Sequence, residues 1–585
     1  MLRGLISFWV FLALSLTASG QDSARAPEAA TGVYAKGLST AQKHMIAAAN
    51  PIAAEAGRDM LRAGGSAVDA AIATQLVLGL VEPQSSGLGG GAFIMHWHQA
   101  TKTVTTYDGR ETAPAAAKPD RFLRDGQPMA FDAAVASGLS VGVPGVMRAL
   151  ELAHQQHGKL AWAKLFEPAI ALAEKGFPVP ARLSALLAAN GPASFAPAAR
   201  GYFFDSAGVA RPTGYVLQNP AYAQTLHVLA EKGAGALYEG AIADEIVAAV
   251  ANAPTLAGDL TAADLATYRA KERAAVCFNY RVHKICGMGP PSSGALTIAQ
   301  TLKLIEPFAA VQGARARLAT PALHIIAEAE KLAYADRNRY IADPDFVSIP
   351  GGLLDDGYLA ERRKLIDLAH AMAKPAAGLP PGLAHKSMGL DATREAAGTS
   401  HLSIVDDDGN AMSMTSTVES AFGAHLWAAG FLLNNQMTDF SFRPVDQNGL
   451  KIANAVEAGK RPRSSMAPTL VFDVAGDLEA VTGSPGGSRI ILFVVKALVA
   501  MLDWGLDPQG AAALVNFGSE GGPMLFDYKF EALWPALSLK SYGHAIAFED
   551  MTSGVHTILR RGRFLEGGHL EGGADPRREG VALGD

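Results

Sequence analysis

The chain has 585 residues, 49% of them hydrophobic and 18% charged, so it can bury a large core and does not read as a disordered chain. Its formal net charge of −6 comes without any basic cluster, which argues against a nucleic-acid partner.

The first twenty residues read as a signal peptide. Arg3 supplies a positive start, Leu5 to Leu16 is an apolar run of twelve, and Ala18-Ser19-Gly20 offers small residues for cleavage before Gln21. Twelve residues fall short of the roughly 20 that a spanning helix needs. The expectation is export, periplasmic or secreted, with no stable membrane span.

Asn50-Pro51 is an N-cap followed by proline at the first helical position, and Gly64-Gly65 ends that helix. Ser66 and Asp69 have capping-box spacing and open a second, Ala-rich helix ending near Glu82-Pro83. Gly87-Leu88-Gly89-Gly90-Gly91 then predicts a tight loop before a strand over 92–97. No GKS or GKT follows, so the glycines suit close packing rather than phosphate binding. Residues 145–340 are mostly helical by pattern, and no period of 20–50 residues repeats. Cys277 and Cys286 sit in a strand–turn–strand pattern. They can bridge in an oxidising compartment or remain two buried thiols. With no matching His set they do not make a zinc site.

From Ala373 to Gly398 the chain is rich in Ala, Gly and Pro and reads as an exposed, poorly structured loop. It runs into GTSHLSIVDDDGNAMSMTST (398–417), two alternating halves around Asp406-Asp407-Asp408-Gly409-Asn410. Period-two alternation and Asp-Gly predict a hairpin. A three-residue loop puts Thr399 opposite Thr417, and a two-residue loop offsets them by one. An ordinary hairpin with surface threonines would look the same, but a loop running into Gly398-Thr399 suggests a cleavage site. Cutting there frees an α-amine at Thr399, whose pKa of about 7.7–8.0 suits it to take the proton of its own hydroxyl. Beyond Thr399 strands dominate, with one helix from Arg489 to about Asp503.

The chain resembles the γ-glutamyltranspeptidases, members of the N-terminal-nucleophile hydrolases. The matching segments run in family order through the mature chain: PQSSGLGGGAF (83–93), YDGRETAP (107–114), PPSSGALTIAQ (290–300), EAEKLAYADRNRYIADPDF (328–346), GTSHLSIVDDDGNA, GFLLNNQMTDFS (430–441), KRPRSSMAPTLVF (460–472), TGSPGGSRII (482–491) and GADPRREGVALGD (573–585). The resemblance implies an α+β fold, a four-layer αββα sandwich with a mostly helical large subunit. It implies a large subunit of residues 21–398 and a small catalytic subunit of 399–585, released by autocleavage and paired as a heterodimer.

On this resemblance Thr399 is the nucleophile and Thr417 its hydrogen-bonding partner. Gly486 and Gly487, where a strand turns into a helix, match an oxyanion hole. Arg110 matches the arginine that grips a donor α-carboxylate, and Ser464 and Ser465 the serines that help it. Asp439, with Gln436 beside it, matches the aspartate that takes the α-ammonium. At Glu419 the bacterial family pattern has Asn; a carboxylate there adds a partner for the ammonium or crowds Asp439. The segment 440–463 is shorter than the usual lid and has no aromatic after Phe442, which predicts a mobile segment or an open pocket. The implied activity is γ-glutamyl transfer from glutathione-like donors to water, amino acids or peptides, without cofactor or metal. A β-lactam side-chain acylase on the same scaffold is the alternative, and a non-catalytic periplasmic binding protein a more distant one.

Overall fold

The computed structural model describes residues 30, 32–383, 388–393, 395, 398–562 and 568–585. The signal-peptide expectation for residues 1–20 lies outside them. Among the described residues, no helix is long and apolar enough to cross a membrane.

Two seven-stranded antiparallel sheets form the inner layers. One runs 581–584, 45–48, 398–405, 411–419, 91–98, 103–109, 271–273, with the 398–419 hairpin near its centre. The other runs 39–41, 569–574, 556–561, 478–483, 469–472, 283–287, 276–280. Met45, Met95, Trp97, Val405, Leu470, Phe472, Val481 and Ile558 pack between the sheets. Helices close both outer faces. Pro51–Arg62, Ala67–Val81 and Val146–His157 share an apolar cluster with Leu402, Ile404, Met412 and Met414 of the hairpin. Gly294–Ile305, Thr320–Tyr340 and Ile490–Leu502 cover the second sheet. This is the expected four-layer αββα sandwich.

Local signals in the sequence are realised closely. Asn50 Oδ1 caps Ile52 N at 2.9 Å, and Ser66 and Asp69 form the capping box, Asp69 accepting from Ser66 N at 2.8 Å. The strand predicted over 92–97 is Gly91–His98, and the late helix is Ile490–Leu502. Any side chain at Gly90 would run into the Thr417 carbonyl, so the glycine loop packs directly on the hairpin. The polar residues alternating with the hydrophobic ones do not reach solvent. Ser403 Oγ donates to His556 O at 2.9 Å, Ser413 Oγ donates to Thr482 O at 3.0 Å, and both strands are buried throughout.

Two loop expectations are corrected. The 373–398 run is not exposed to its end: Asp391 is 5% exposed, and the Glu395 side chain is buried among arginines. The 440–463 segment has more apolar anchorage than its sequence suggested. Phe440 and Val456 are fully buried with Phe122 and Met437, and Phe442 stacks on Phe122 at 4.5 Å. Lys460 Nζ donates to Ala453 O at 2.8 Å, and Asn454 Nδ2 donates to Asp439 O at 2.7 Å. Packing and internal hydrogen bonds fix this segment, where composition alone indicates a mobile one.

Cys277 and Cys286 face each other across an antiparallel pair at the edge of the second sheet and are bridged. Closing a loop of about ten residues is worth about 2–3 kcal/mol. The double Cys→Ser variant should therefore unfold at lower denaturant concentration. An unchanged midpoint would show that the sheet alone holds this edge.

Candidate active site

The hairpin pairs Thr399 with Thr417 and Val405 with Ala411, the register of the three-residue loop 407–409, with an irregularity between Gly398 and Thr399. Thr399 Oγ1 donates to Thr417 Oγ1 at 3.2 Å. Thr417 Oγ1 in turn donates to the Gly398 carbonyl at 2.6 Å and accepts from Glu419 N at 2.9 Å. The backbone beneath is fixed. Arg578 Nη1 donates to Thr399 O at 3.2 Å, and Ser400 Oγ donates to Glu82 Oε2 at 2.8 Å. Thr399 is 3% exposed, so little bulk water reaches the hydroxyl pair.

One small cleft gathers Thr399, Thr417, Glu419 and Gly487 with Arg110, Gln436, Asp439, Ser464 and Ser465. Gly398 sits just behind it through the bond to Thr417. Gly486 is not part of the lining, but it sets the turn. Its φ of 140° and ψ of 20° suit glycine, and a Cβ there would meet the Phe493 ring. The turn leads from the strand Leu478–Gly483 into a short 3-10 turn at Gly487 and the helix Ile490–Leu502. Gly487 therefore lies near the positive end of a helix dipole, in the cleft that holds the hydroxyl pair.

Across the cleft, Arg110 Nη2 donates to Asp439 Oδ2 at 2.5 Å and to Arg463 O at 2.8 Å, and Arg110 Nε donates to Pro462 O at 3.1 Å. Gln436 Nε2 donates to the same Asp439 oxygen at 2.6 Å. The other oxygen, Asp439 Oδ1, and Gln436 Oε1 are buried without a hydrogen-bond partner. Burial pushes the Asp439 carboxyl above its ordinary value despite Arg110. Glu419, at φ 82°, accepts from Ser420 Oγ at 2.6 Å and Asn435 Nδ2 at 2.5 Å.

Sequence reasoning missed Glu395, Met466 and Ile490, which also line the cleft. It missed Arg337 and Arg463, which stand behind Glu395. Both arginines lie inside the quoted EAEKLAYADRNRYIADPDF and KRPRSSMAPTLVF segments, but nothing in the linear pattern aimed them at this cleft. Elsewhere, His324, Glu328 and His544 converge in the interior with ligand atoms within 4.8 Å of one another. His324 Nδ1 lies 2.8 Å from His544 Nε2, and Lys331 Nζ donates to Glu328 Oε1 at 2.8 Å. The ammonium neutralises the carboxylate a cation would need.

Glu111, next to Arg110, is fully buried and neither of its oxygens has a hydrogen-bond partner. Burial outweighs the Arg110 charge 3.8 Å away and pushes its carboxyl from 4.5 up to about 8. The folded chain thus keeps a proton that the unfolded chain releases. This contribution to stability is complete below the unfolded value of 4.5 and is lost as pH rises through about 8. Glu111→Gln should flatten the decline of the thermal midpoint over that window. An identical decline in variant and wild type would assign it to other groups.

The chain is similar to known proteins over most of its length. The Gamma-glutamyltranspeptidase family profile matches residues 53–585. The glutathione hydrolase proenzyme of Bacillus subtilis (strain 168) is 34% identical over 554 residues, 92% of this chain and 91% of that protein. The glutathione hydrolase proenzyme of Escherichia coli (strain K12) is 35% identical over 548 residues, again 92% and 91%. Among solved structures, a cephalosporin acylase from Bacillus halodurans superposes with a TM-score of 0.81 at 27% identity, covering 94% of this chain and 97% of that one. A profile match over nearly the whole chain, with relatives above 30% identity at matching length, establishes that this chain belongs to the γ-glutamyltranspeptidase family.

Proposed function

We propose that this protein is a γ-glutamyl transferase and hydrolase that works through an ester on Thr399. The observation that carries the reading is the pair of buried, unsatisfied acceptors Asp439 Oδ1 and Gln436 Oε1, in the same cleft as the Thr399–Thr417 hydroxyls. Such orphans cost free energy unless a ligand donates to them. The α-ammonium of a γ-glutamyl donor supplies those protons, while Arg110, Ser464 and Ser465 receive its α-carboxylate.

The first reaction is on the chain itself. Thr417 polarises the Gly398 carbonyl through its 2.6 Å hydrogen bond, and Thr399 Oγ1 stands beside it. Thr399 Oγ attacks that carbonyl carbon, its proton passes to the Thr399 nitrogen, and the peptide bond becomes an ester. Water then hydrolyses the ester, leaving a Gly398 carboxylate and a free Thr399 amine and hydroxyl. Residues 21–398 and 399–585 become the large and small subunits of a heterodimer, with residues 1–20 removed on export to the periplasm or exterior.

In the processed enzyme the Thr399 amine takes the hydroxyl proton as Oγ attacks the donor's γ-carbonyl. The oxyanion meets backbone N–H groups at Gly486-Gly487, a device worth about 3–4 kcal/mol in comparable enzymes. The leaving amine departs with the proton, and water or an amino-acid or peptide amine resolves the ester. Glu419 adds negative charge on the ammonium side. The β-lactam acylase reading is weaker here, because a glutaryl group brings no ammonium to Asp439.

L-γ-Glutamyl-p-nitroanilide should be turned over and glutaryl-p-nitroanilide far more slowly; equal rates would favour the acylase. Arg110→Ala should process normally yet raise KM for the γ-glutamyl donor about tenfold to a hundredfold, the loss of a charge-assisted pair. An unchanged KM in the processed variant would remove Arg110 from the donor site.

A further inference from the structure

Tyr334 lies on the helix Thr320–Tyr340, and its hydroxyl donates to Ser488 O at 2.7 Å. The phenol is 1% exposed. Burial pushes its pKa above the ordinary value, so it keeps its proton and acts as a donor. The carbonyl it meets belongs to the peptide unit that joins Ser488 to Arg489. The N–H of that same unit, at Arg489, donates to Gly486 O at 3.2 Å. Gly486 O in turn belongs to the unit whose N–H is that of Gly487, and Gly487 lines the cleft. Phenol and two peptide units therefore stand head to tail, each polarising the next. One turn further along the helix, the Arg337 guanidinium lies over the Tyr334 ring at 5.5 Å, and its Nη2 donates to Ser465 Oγ at 2.6 Å. The ring of Tyr334 is thus packed against a group that also holds a cleft serine.

We propose that Tyr334 is a positioning residue for the oxyanion donor at Gly487, acting through the Ser488–Arg489 and Gly486–Gly487 peptide units. The inference rests on the γ-glutamyl reading, which gives that N–H to the tetrahedral oxyanion. Tyr334 precedes the Gly398–Thr399 bond and Ser488 follows it, so the contact joins the two subunits that the cut produces. Gly486 and Gly487, at φ 140° and 59°, lack the side chains that would stiffen the turn. An oxyanion donor is effective when its N–H is already aimed before charge develops. The bond to Ser488 O fixes the far peptide of the turn, and through Arg489 N it fixes the near one. It also draws electron density along the relay, which leaves the Gly487 N–H a stronger donor. Formation and hydrolysis of the Thr399 ester both pass through an oxyanion, so both steps draw on this support. The phenol proton is transferred in neither. Self-cleavage is polarised by Thr417 at the Gly398 carbonyl instead and does not use Tyr334.

Tyr334→Phe removes the hydroxyl and keeps the ring. It should be cut at Gly398 like the wild type, with kcat for L-γ-glutamyl-p-nitroanilide lowered about threefold to tenfold and KM unchanged. A glutamate analogue with a boronic acid in place of the γ-carboxyl reads the oxyanion directly. Thr399 Oγ bonds to boron, its proton passes to the Thr399 amine, and a tetrahedral boronate anion results. The inhibition constant of this analogue should rise by the same factor as kcat falls. That of L-norvaline, which has the α-carboxylate and α-ammonium but no γ-carbonyl, should not move. Unchanged boronate inhibition overturns the proposal. So does an equal loss for boronate and L-norvaline, which would mean a general distortion of the cleft. If Tyr334→Phe does not fold, fluorotyrosine at position 334 decides, since it keeps the ring and makes the hydroxyl a stronger donor. It should tighten boronate inhibition, and unchanged inhibition overturns the proposal. A cut wild type that neither turns over γ-glutamyl-p-nitroanilide nor is inhibited by the boronate defeats the γ-glutamyl reading itself, and this assignment with it.

Discussion

The hydrogen bond between Thr399 and Thr417, 3.2 Å long at the end of one hairpin, is the constraint on which the rest of the structure depends. Its geometry is set by register, and a one-residue slip would turn every side chain of the hairpin to the wrong face. Both faces are buried, one against helices and one against the second sheet, so a slip would turn Leu402, Ile404, Met412 and Met414 away from the helices and set Ser403 and Ser413 into that apolar cluster, without their bonds to His556 O and Thr482 O. The core thus fixes the position of a hydroxyl to within a hydrogen bond. The flanking strand at 91–98 and the glycine loop before it close the remaining side.

Around that pair the cleft is a dense field of opposed charge. Arg110, Arg337 and Arg463 stand among Asp391, Glu395, Asp439 and Glu419, nearly all out of water. Charges in such surroundings interact far more strongly than at a surface. Pairing decides which side each pKa moves. Burial would raise Glu395, but Arg337 and Arg463 outweigh it and hold the carboxyl down to about 2. Asp439 goes the other way because burial outweighs Arg110, with Glu395 adding to the rise. A zwitterionic ligand suits this field, since its two charges find partners already in place and aligned.

Much of this was legible in the sequence because it is local. The hairpin, the capping box at Ser66 and Asp69, and the helix after Gly487 depend on spacing along a few residues. The choice between two hairpin registers shows only in the folded loop, where Asp406 Oδ1 accepts from Asp408 N at 3.0 Å and from Asn410 N at 2.9 Å and Gly409 takes a φ of 78°. Glu395 was hidden for the same reason. It lies in an Ala- and Gly-rich run that reads as loop, and only the folded chain reveals Arg337 and Arg463 waiting for it. The 440–463 segment looked loose because its anchors, Phe122 and Met437, lie elsewhere in the chain. The site residues taken from the family resemblance converge on one cleft, apart from Gly398 and Gly486, which shape it from behind.

The central claim, that Thr399 becomes a free amino-terminal nucleophile, is tested most directly by mass spectrometry of the purified protein after brief reaction with a γ-glutamyl donor and acid quench. The account predicts two fragments, the smaller starting at Thr399 and carrying one added γ-glutamyl group on that residue. An intact, active chain, or an acyl group found on any other residue, would contradict it.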